Sequence, residues 1–295
     1  MKKKKEKQPK VIYYEDELND DFAGTKISAK VVDSSFKFTH KGKVWTFFSS
    51  IVYYLFIVPI VWFYLKFLLR VKYVNKKALK PFKKKKIRYY IFGNHTSFAA
   101  DAFSPNLLSL PTRNKILVSP DTVSIKGLKT FIQMLGAVPV PTGSDGIRDL
   151  LRAVDYYHTR YNITIYPEAH IWPYFTGVRN FKETSFLYPV RHNAPVFAVF
   201  TAYTKPKGFL ALFRKANFTT YISDPIYPDP EKPRKEVQKE LRNKVYEFMK
   251  ECSEKYSSYK VIDYKHISEK PEEDSSNTTE SPLKSLSIYE VDNDK

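Results

Sequence analysis

The 295-residue chain has a single cysteine, Cys252, so it forms no internal disulfide and no multi-thiolate metal site. It has only 9 glycines against 22 Tyr, 22 Phe and 3 Trp, which argues against a glycine-rich nucleotide cradle and for contact with lipid, bases or another apolar surface. Acidic side chains are missing from Ser34 to Ala100, a stretch that holds 14 Lys or Arg. A long polar, low-hydrophobicity composition is also missing: 43% hydrophobic and 27% charged residues exclude wholesale disorder and allow a sizeable core.

What is present favours anionic partners. Forty-nine Lys and Arg against 31 Asp and Glu give a net charge of +18, suited to nucleic acid, an acidic membrane surface, or phosphorylated and CoA-type substrates. Inside the acid-free stretch, Val44 to Leu65 is uncharged and mostly apolar. As a helix it would be about 33 Å long, enough to cross a hydrocarbon core. It begins too late and is too aromatic for a cleaved signal peptide. Lys37, Lys41 and Lys43 precede it, and Lys66, Arg70, Lys72 and the Lys83–Lys86 run follow, so a full crossing would translocate one of two basic flanks. Pro59 lies within the run and can break a helix there. The expectation is two short helical pieces that dip into one leaflet and return, with a single span and a hairpin buried in a soluble core as the alternatives, held on an anionic membrane with the rest of the chain on the cytoplasmic face.

Residues 1–43 read as a polar lead-in, 44–85 as the membrane-associated helical segment with its basic flank, and 265–295 as a disordered acidic tail. Between them, 86–264 alternates short apolar runs with helical ones. Strands are expected at 87–93, 115–119, 137–140, 162–167 and 194–200, and helices near 97–109, 122–135, 144–160 and 183–192. Residues 208–223 suggest an antiparallel pair, and 231–256 a long amphipathic helix. The fold class is α/β: a mixed sheet flanked by helices, behind an amino-terminal membrane-associated segment.

The chemistry-bearing segment is IFGNHTSFAAD, which leads from a strand through Asn94 and His95 into a helix start at Thr96 or Ser97. A His at the carboxyl end of a strand sits where open α/β sheets hold ligands. Asp101 falls in the first turns of the next helix and can reach back to the imidazole, fixing its tautomer and raising the basicity of the other nitrogen. On their own, a His and an Asp at this spacing serve structure more often than catalysis. A second strand end, TIYPEAH, presents Glu168, and GVRNFK follows with Arg179 and Lys182.

These blocks occur in an order that resembles the glycerolipid acyltransferase family, typified by lysophosphatidic acid acyltransferases. Asn94-His95-Thr96-Ser97…Asp101 stands for that family's N-H-x-S-x-x-D box. Gly136 to Val140 stands for its second strand, Pro167-Glu168-Ala169 with Phe181-Lys182 for its E-G-T-R turn and downstream F-K, and Pro195-Val196 for its P-V strand. The likeness covers about 85–200 and fits a divergent member: five residues separate His95 from Asp101 where the family has four. Thr142 and Ala169-His170-Ile171 stand where the family has phosphate-gripping arginines and their neighbours.

The resemblance implies that His95 and Asp101 are catalytic, His95 deprotonating an acceptor hydroxyl that attacks the thioester of acyl-CoA or an acyl-carrier protein. It implies substrate-binding roles for Asn94, Ser97, Glu168, Arg179 and Lys182, and a lysophospholipid such as 1-acylglycerol-3-phosphate, or a related lipid, as acceptor in phospholipid biosynthesis. It needs neither metal nor other cofactor. Alternatives are a non-phosphate glycolipid or polyol acceptor, and a metal-dependent hydrolase built on His95, Asp101, Glu168 and His170. A third is a non-enzymatic basic protein binding membrane or nucleic acid through Lys83–Lys86; no base-reading module accompanies that run, so nucleic acid is not expected.

Overall fold

The computed structural model describes residues 8–24, 27, 29–208 and 214–270. Its centre is a seven-stranded mixed sheet in the order β2-β8-β7-β3-β6-β4-β5, formed by β2 (Lys72–Val74), β3 (Tyr90–Gly93), β4 (Asn114–Val118), β5 (Ala137–Pro139), β6 (Asn162–Ile165), β7 (Val196–Thr204) and β8 (Asn217–Ile222). All neighbours run parallel except β7 and β8. The middle strands are buried on both faces, which is why they read as continuous apolar runs rather than alternating ones. Tyr90, Phe92, Val196, Ala198 and Phe200 pack on one side against Val237, Leu241 and Val245 of the helix Arg234–Tyr256 and Leu150 and Val154 of the helix Ile147–His158. Ile91, Phe197 and Val199 pack on the other side against Leu79, Phe82 and Leu108.

The expected strands all form, with bounds moved by one to four residues. The helix foreseen near 122–135 is two pieces, a 3-10 turn at Pro120–Val123 and a helix at Lys129–Leu135. The antiparallel pair expected within 208–223 forms instead between β7 and β8, because Asn217–Ile222 has the long apolar β7 to pair with; residues 209–213 lie outside the described residues.

The apolar segment differs from expectation. It is one continuous helix, Lys43–Leu68, not two pieces. Pro59 is absorbed because the backbone winds in π register over Val52–Ile57 and again over Tyr64–Leu68. There Val58 N–H donates to the Tyr53 carbonyl and Leu69 N–H to the Tyr64 carbonyl, five residues back, so the helix widens where a proline removes a donor. Ser49, Tyr53, Val61 and Leu65, at multiples of four, form the buried stripe. That stripe lies against the helix Phe98–Ser109: Tyr53 Oη donates to Asn106 Oδ1 at 3.0 Å, and Val61 and Leu65 pack on Leu107. The rest of its circumference exposes Phe47, Phe48, Leu55, Phe56, Ile60, Trp62, Phe63 and Phe67.

The segment foreseen as a polar lead-in is woven into the α/β part. β1 (Lys10–Tyr14) pairs in parallel with β9 (Ile262–His266), and Val32 and Phe38 are in the main core. The start of the tail moves as well. β9 runs to His266, which caps a short turn at Ile267–Glu269, so 265–270 is ordered structure; residues 271–295 lie outside the described residues.

Candidate active site

β3 ends at Gly93 in the middle of the sheet, and the chain runs extended through Asn94 to Ser97 before the helix Phe98–Ser109 begins. Ser97 is its N-cap, accepting the Ala100 amide at 3.3 Å. Asp101 in the first turn points back towards the sheet. Its Oδ2 takes three donors: His95 Nδ1 at 2.9 Å, Thr96 N at 2.9 Å and Ser97 N at 2.9 Å. The six-residue separation thus closes into a dyad because the loop is extended and the carboxylate gathers its amides. The first-turn amides not used this way belong to Phe98 and Ala99.

Asp101 is buried, while the His95 side chain keeps 24% of its surface exposed. With Nδ1 donating to Asp101 Oδ2, Nε2 is the nitrogen left to act as a base. The ring stacks on Tyr166, centroids 4.7 Å apart, and Tyr166 Oη donates to the Asp101 carbonyl at 2.6 Å. Burial drives the Tyr166 phenol far above its ordinary value, so it stays a neutral donor. Gly93 makes room for this ring: a Cβ there would come within 2.8 Å of it. Under Asp101, Asn94, Ser104, Tyr166, Thr201 and Thr220 help enclose a cavity of about 10 Å³, room for a single water.

Glu168 lies at the end of β6 and is buried. Its Oε2 accepts the His95 amide at 3.2 Å and Arg179 Nη2 at 3.3 Å; its Oε1 accepts the Arg179 amide at 3.1 Å. Burial pushes the Glu168 carboxyl up, opposed by the Arg179 guanidinium and these amides. Arg179 is fully buried, donates to the carbonyls of His170 and Glu17, and lies over the Trp172 ring at 4.8 Å. The backbone N–H of Trp172 in turn donates to the His95 carbonyl at 3.1 Å.

Of the residues singled out in the sequence, the fold brings His95, Asp101, Ser97 and Glu168 together. Asn94 is 2% exposed, and its Oδ1 accepts Thr201 N at 2.8 Å while its Nδ2 donates to the Thr201 carbonyl and to Thr96 Oγ1. It ties the His95 loop to β7 and has no free polar atom for a substrate. Arg179 is likewise buried, its two terminal nitrogens bonded to Glu168 and to backbone carbonyls. Lys182 stands exposed ahead of the turn Glu183–Phe186. His170, the fourth member of the metal alternative, reaches Asp21 at 3.4 Å instead of turning to His95. Among the described residues no three His, Cys, Asp or Glu side chains converge as metal ligands.

Several parts of the site carried no signal in the sequence. Tyr166 is an ordinary strand-end tyrosine until the fold lays it under His95. Residues 17–22 cover the 168–179 loop: Glu17 and Asp20 supply carbonyls to Arg179 and Trp172 Nε1, and Phe22 packs edge-on against the indole. Burial works to raise the Asp21 carboxyl, yet it is held below its ordinary value by His170, the Ala23 amide and the His95 imidazole nearby.

No family model matches this sequence, and no curated protein matches it. Among solved structures, the chain is similar to the crystal structure of the 1-acyl-sn-glycerophosphate (LPA) acyltransferase PlsC from Thermotoga maritima. The identity is 18% over 73% of this chain and 96% of that chain, with a TM-score of 0.45. Likeness of this degree says nothing about chemistry.

Proposed function

We propose that this protein is a membrane-associated O-acyltransferase that moves a fatty acyl group from a thioester, acyl-CoA or an acyl-carrier protein, to the hydroxyl of a lysophospholipid or related lipid. The observation that carries the reading is the His95–Asp101 pair at 2.9 Å, with Asp101 fixed by two backbone amides and the outer face of His95 open.

In this reading Nε2 of His95 removes the acceptor proton as the oxygen attacks the thioester carbonyl. Asp101 holds the ring and favours the transient imidazolium. The amides of Phe98 and Ala99 are the donors for the oxyanion, at the positive end of a helix. Collapse expels the thiolate, which takes the proton back from His95. A positioned general base contributes roughly 10²–10⁴ in rate, and no covalent enzyme intermediate is required. The exposed apolar side of Lys43–Leu68 supports docking on a bilayer, and the basic flanks support the cytoplasmic leaflet.

A second reading of the acceptor follows from one observation. Arg179 is buried and its terminal nitrogens are occupied, while the carboxylate of Asp21, bonded to His170, lies within electrostatic range of His95. This favours an uncharged polyol or glycolipid acceptor over 1-acylglycerol-3-phosphate.

The test is to incubate the full chain in vesicles with labelled acyl-CoA or acyl-carrier protein and a panel of lysophospholipids and lysoglycolipids. Transfer that His95→Ala abolishes supports the reading, and the preferred acceptor decides between phosphate and polyol. No transfer to any acceptor from either donor overturns it.

A further inference from the structure

The Lys83–Lys86 run is divided by the fold. Lys84, Lys85 and Lys86 are exposed, whereas Lys83 turns inward to line a groove of about 450 Å³ with Tyr73, Asn75, Lys76, Lys77 and Lys80. That volume is within the roughly 300–1,000 Å³ of ordinary ligand sites. The groove is at the β2 edge of the sheet, three strands from β3, or about 14 Å sideways at ~4.8 Å per strand. The chain between β2 and β3 returns to the amino end of β3, away from His95. The groove is therefore separate from the dyad.

Four lysines line this groove, and among the described residues none of them pairs with a carboxylate. Lys76 leans over the Tyr73 ring at 5.3 Å, and the one acid nearby, Asp224, is engaged by Asn75 Nδ2 at 3.0 Å. Tyr73 itself is fixed, its hydroxyl bonded to Ser104 Oγ at 2.8 Å. Burial, with the charge of Lys76 adding, pulls the Lys83 amine down to about 8. Like charges gathered in a shaped concavity repel one another, and an anion removes that repulsion.

The surroundings indicate which anion. Leu79 and Phe82, from the segment that carries these lysines, pack on the same side of the sheet as Leu108. Leu108 belongs to the helix that supports Lys43–Leu68, so the segment that carries these lysines packs on the same face of the sheet as the exposed apolar helix. We infer that this groove is a binding site for the phosphate of a lipid headgroup, taken from the bilayer on which the apolar helix rests and held apart from the reacting centre.

The inference is independent of acyl transfer, so its test reads binding. The full chain is sedimented with phosphatidylcholine vesicles containing or lacking phosphatidic acid. Lys76→Gln/Lys80→Gln/Lys83→Gln is compared with Lys84→Gln/Lys85→Gln/Lys86→Gln, which removes the same charge from the same segment outside the groove. Diffuse attraction of surface lysines to an anionic bilayer weakens both triple variants alike. A built site instead makes the groove variant lose at least about tenfold more affinity for phosphatidic acid vesicles, with millimolar inorganic phosphate competing away the difference and both variants keeping the wild-type melting temperature. Equal losses overturn the inference. So does a groove that takes inorganic phosphate in a direct titration of the wild-type protein while the two variants bind phosphatidic acid vesicles equally, because the ligand is then a free phosphate.

Discussion

Glu168 Oε2 accepts the backbone amide of His95 at 3.2 Å, and the same oxygen lies 3.3 Å from Nη2 of Arg179. The candidate base is therefore placed from behind by a buried ion pair, and the positions of the two strand ends depend on each other's charges.

Removing either charge leaves the other buried and alone, which costs about 3–5 kcal/mol. Arg179→Met and Glu168→Gln are each expected to lower stability by that order in urea unfolding. The double variant Glu168→Gln/Arg179→Met should cost clearly less than the sum. Additive losses would mean the two groups act separately.

His95→Ala should reduce acyl transfer to background while the fold and vesicle binding persist, since the ring supplies the base and little of the core. Asp101→Asn keeps an oxygen that can accept from Thr96 N, Ser97 N and Nδ1, so the loop should hold, but the charge that favours the imidazolium is gone. We expect kcat to fall by about 10²–10⁴ with an unchanged melting temperature. An Asp101→Asn enzyme at wild-type rate would reduce Asp101 to a loop anchor.

Acid should weaken the fold through His158, whose ring stacks on both Tyr90 and His192 and whose Nδ1 is buried without a partner. Burial, with His192 adding, pulls it down to about 4, against about 6.5 in the unfolded chain. Between those values the unfolded chain takes up a proton that the folded chain refuses. Stability from this source is full above pH ~6.5 and falls with acid by about 3 kcal/mol near pH 4. His158→Phe keeps a stacked ring and should flatten that part of the profile in urea midpoints measured from pH 7 to 4.5. A profile as steep as wild type would place the sensitivity elsewhere.

The two sides of Lys43–Leu68 should separate membrane binding from stability. Leu55→Gln/Phe56→Gln/Phe63→Gln alters exposed positions and should release the protein from vesicles at an unchanged melting temperature. Leu65→Ala removes a buried contact with Leu107 and should cost about 2–5 kcal/mol. Retained vesicle binding in the triple variant would move the membrane contact to another surface.

The central sheet was legible because buried parallel strands are short unbroken apolar runs, and such runs are not hidden by later packing. The dyad was legible because a His at a strand end and an Asp in the next helical turn are brought together by the local chain alone. Arg179 was misread as a substrate ligand, since burial and the partner Glu168 are set by two loops meeting, which the linear order does not record. Pro59 suggested a break because the rule assumes i→i−4 bonding, and the π register evades it. The Lys83–Lys86 run looked uniform, and only the turn of the helix Lys80–Lys85 puts one of its members in a groove. The polar look of residues 8–24 concealed a contribution made mostly by backbone carbonyls, which no side-chain pattern reports.

The parallel pairing of Lys10–Tyr14 with Ile262–His266 sets an order of events during synthesis. Tyr14 and Tyr264 both lie against Trp172, at 4.7 and 4.9 Å, and Tyr264 Oη donates to the Pro173 carbonyl. The loop behind His95 therefore receives the Tyr264 side of its clamp only after residue 266 has left the ribosome. A nascent chain short of β9 has every element of the seven-stranded sheet and both members of the His95–Asp101 pair, but its Trp172 lacks Tyr264 until then. Chains released early, short of β9, would expose that indole and its aromatic neighbours, a patch of the kind that quality-control proteases and chaperones recognise.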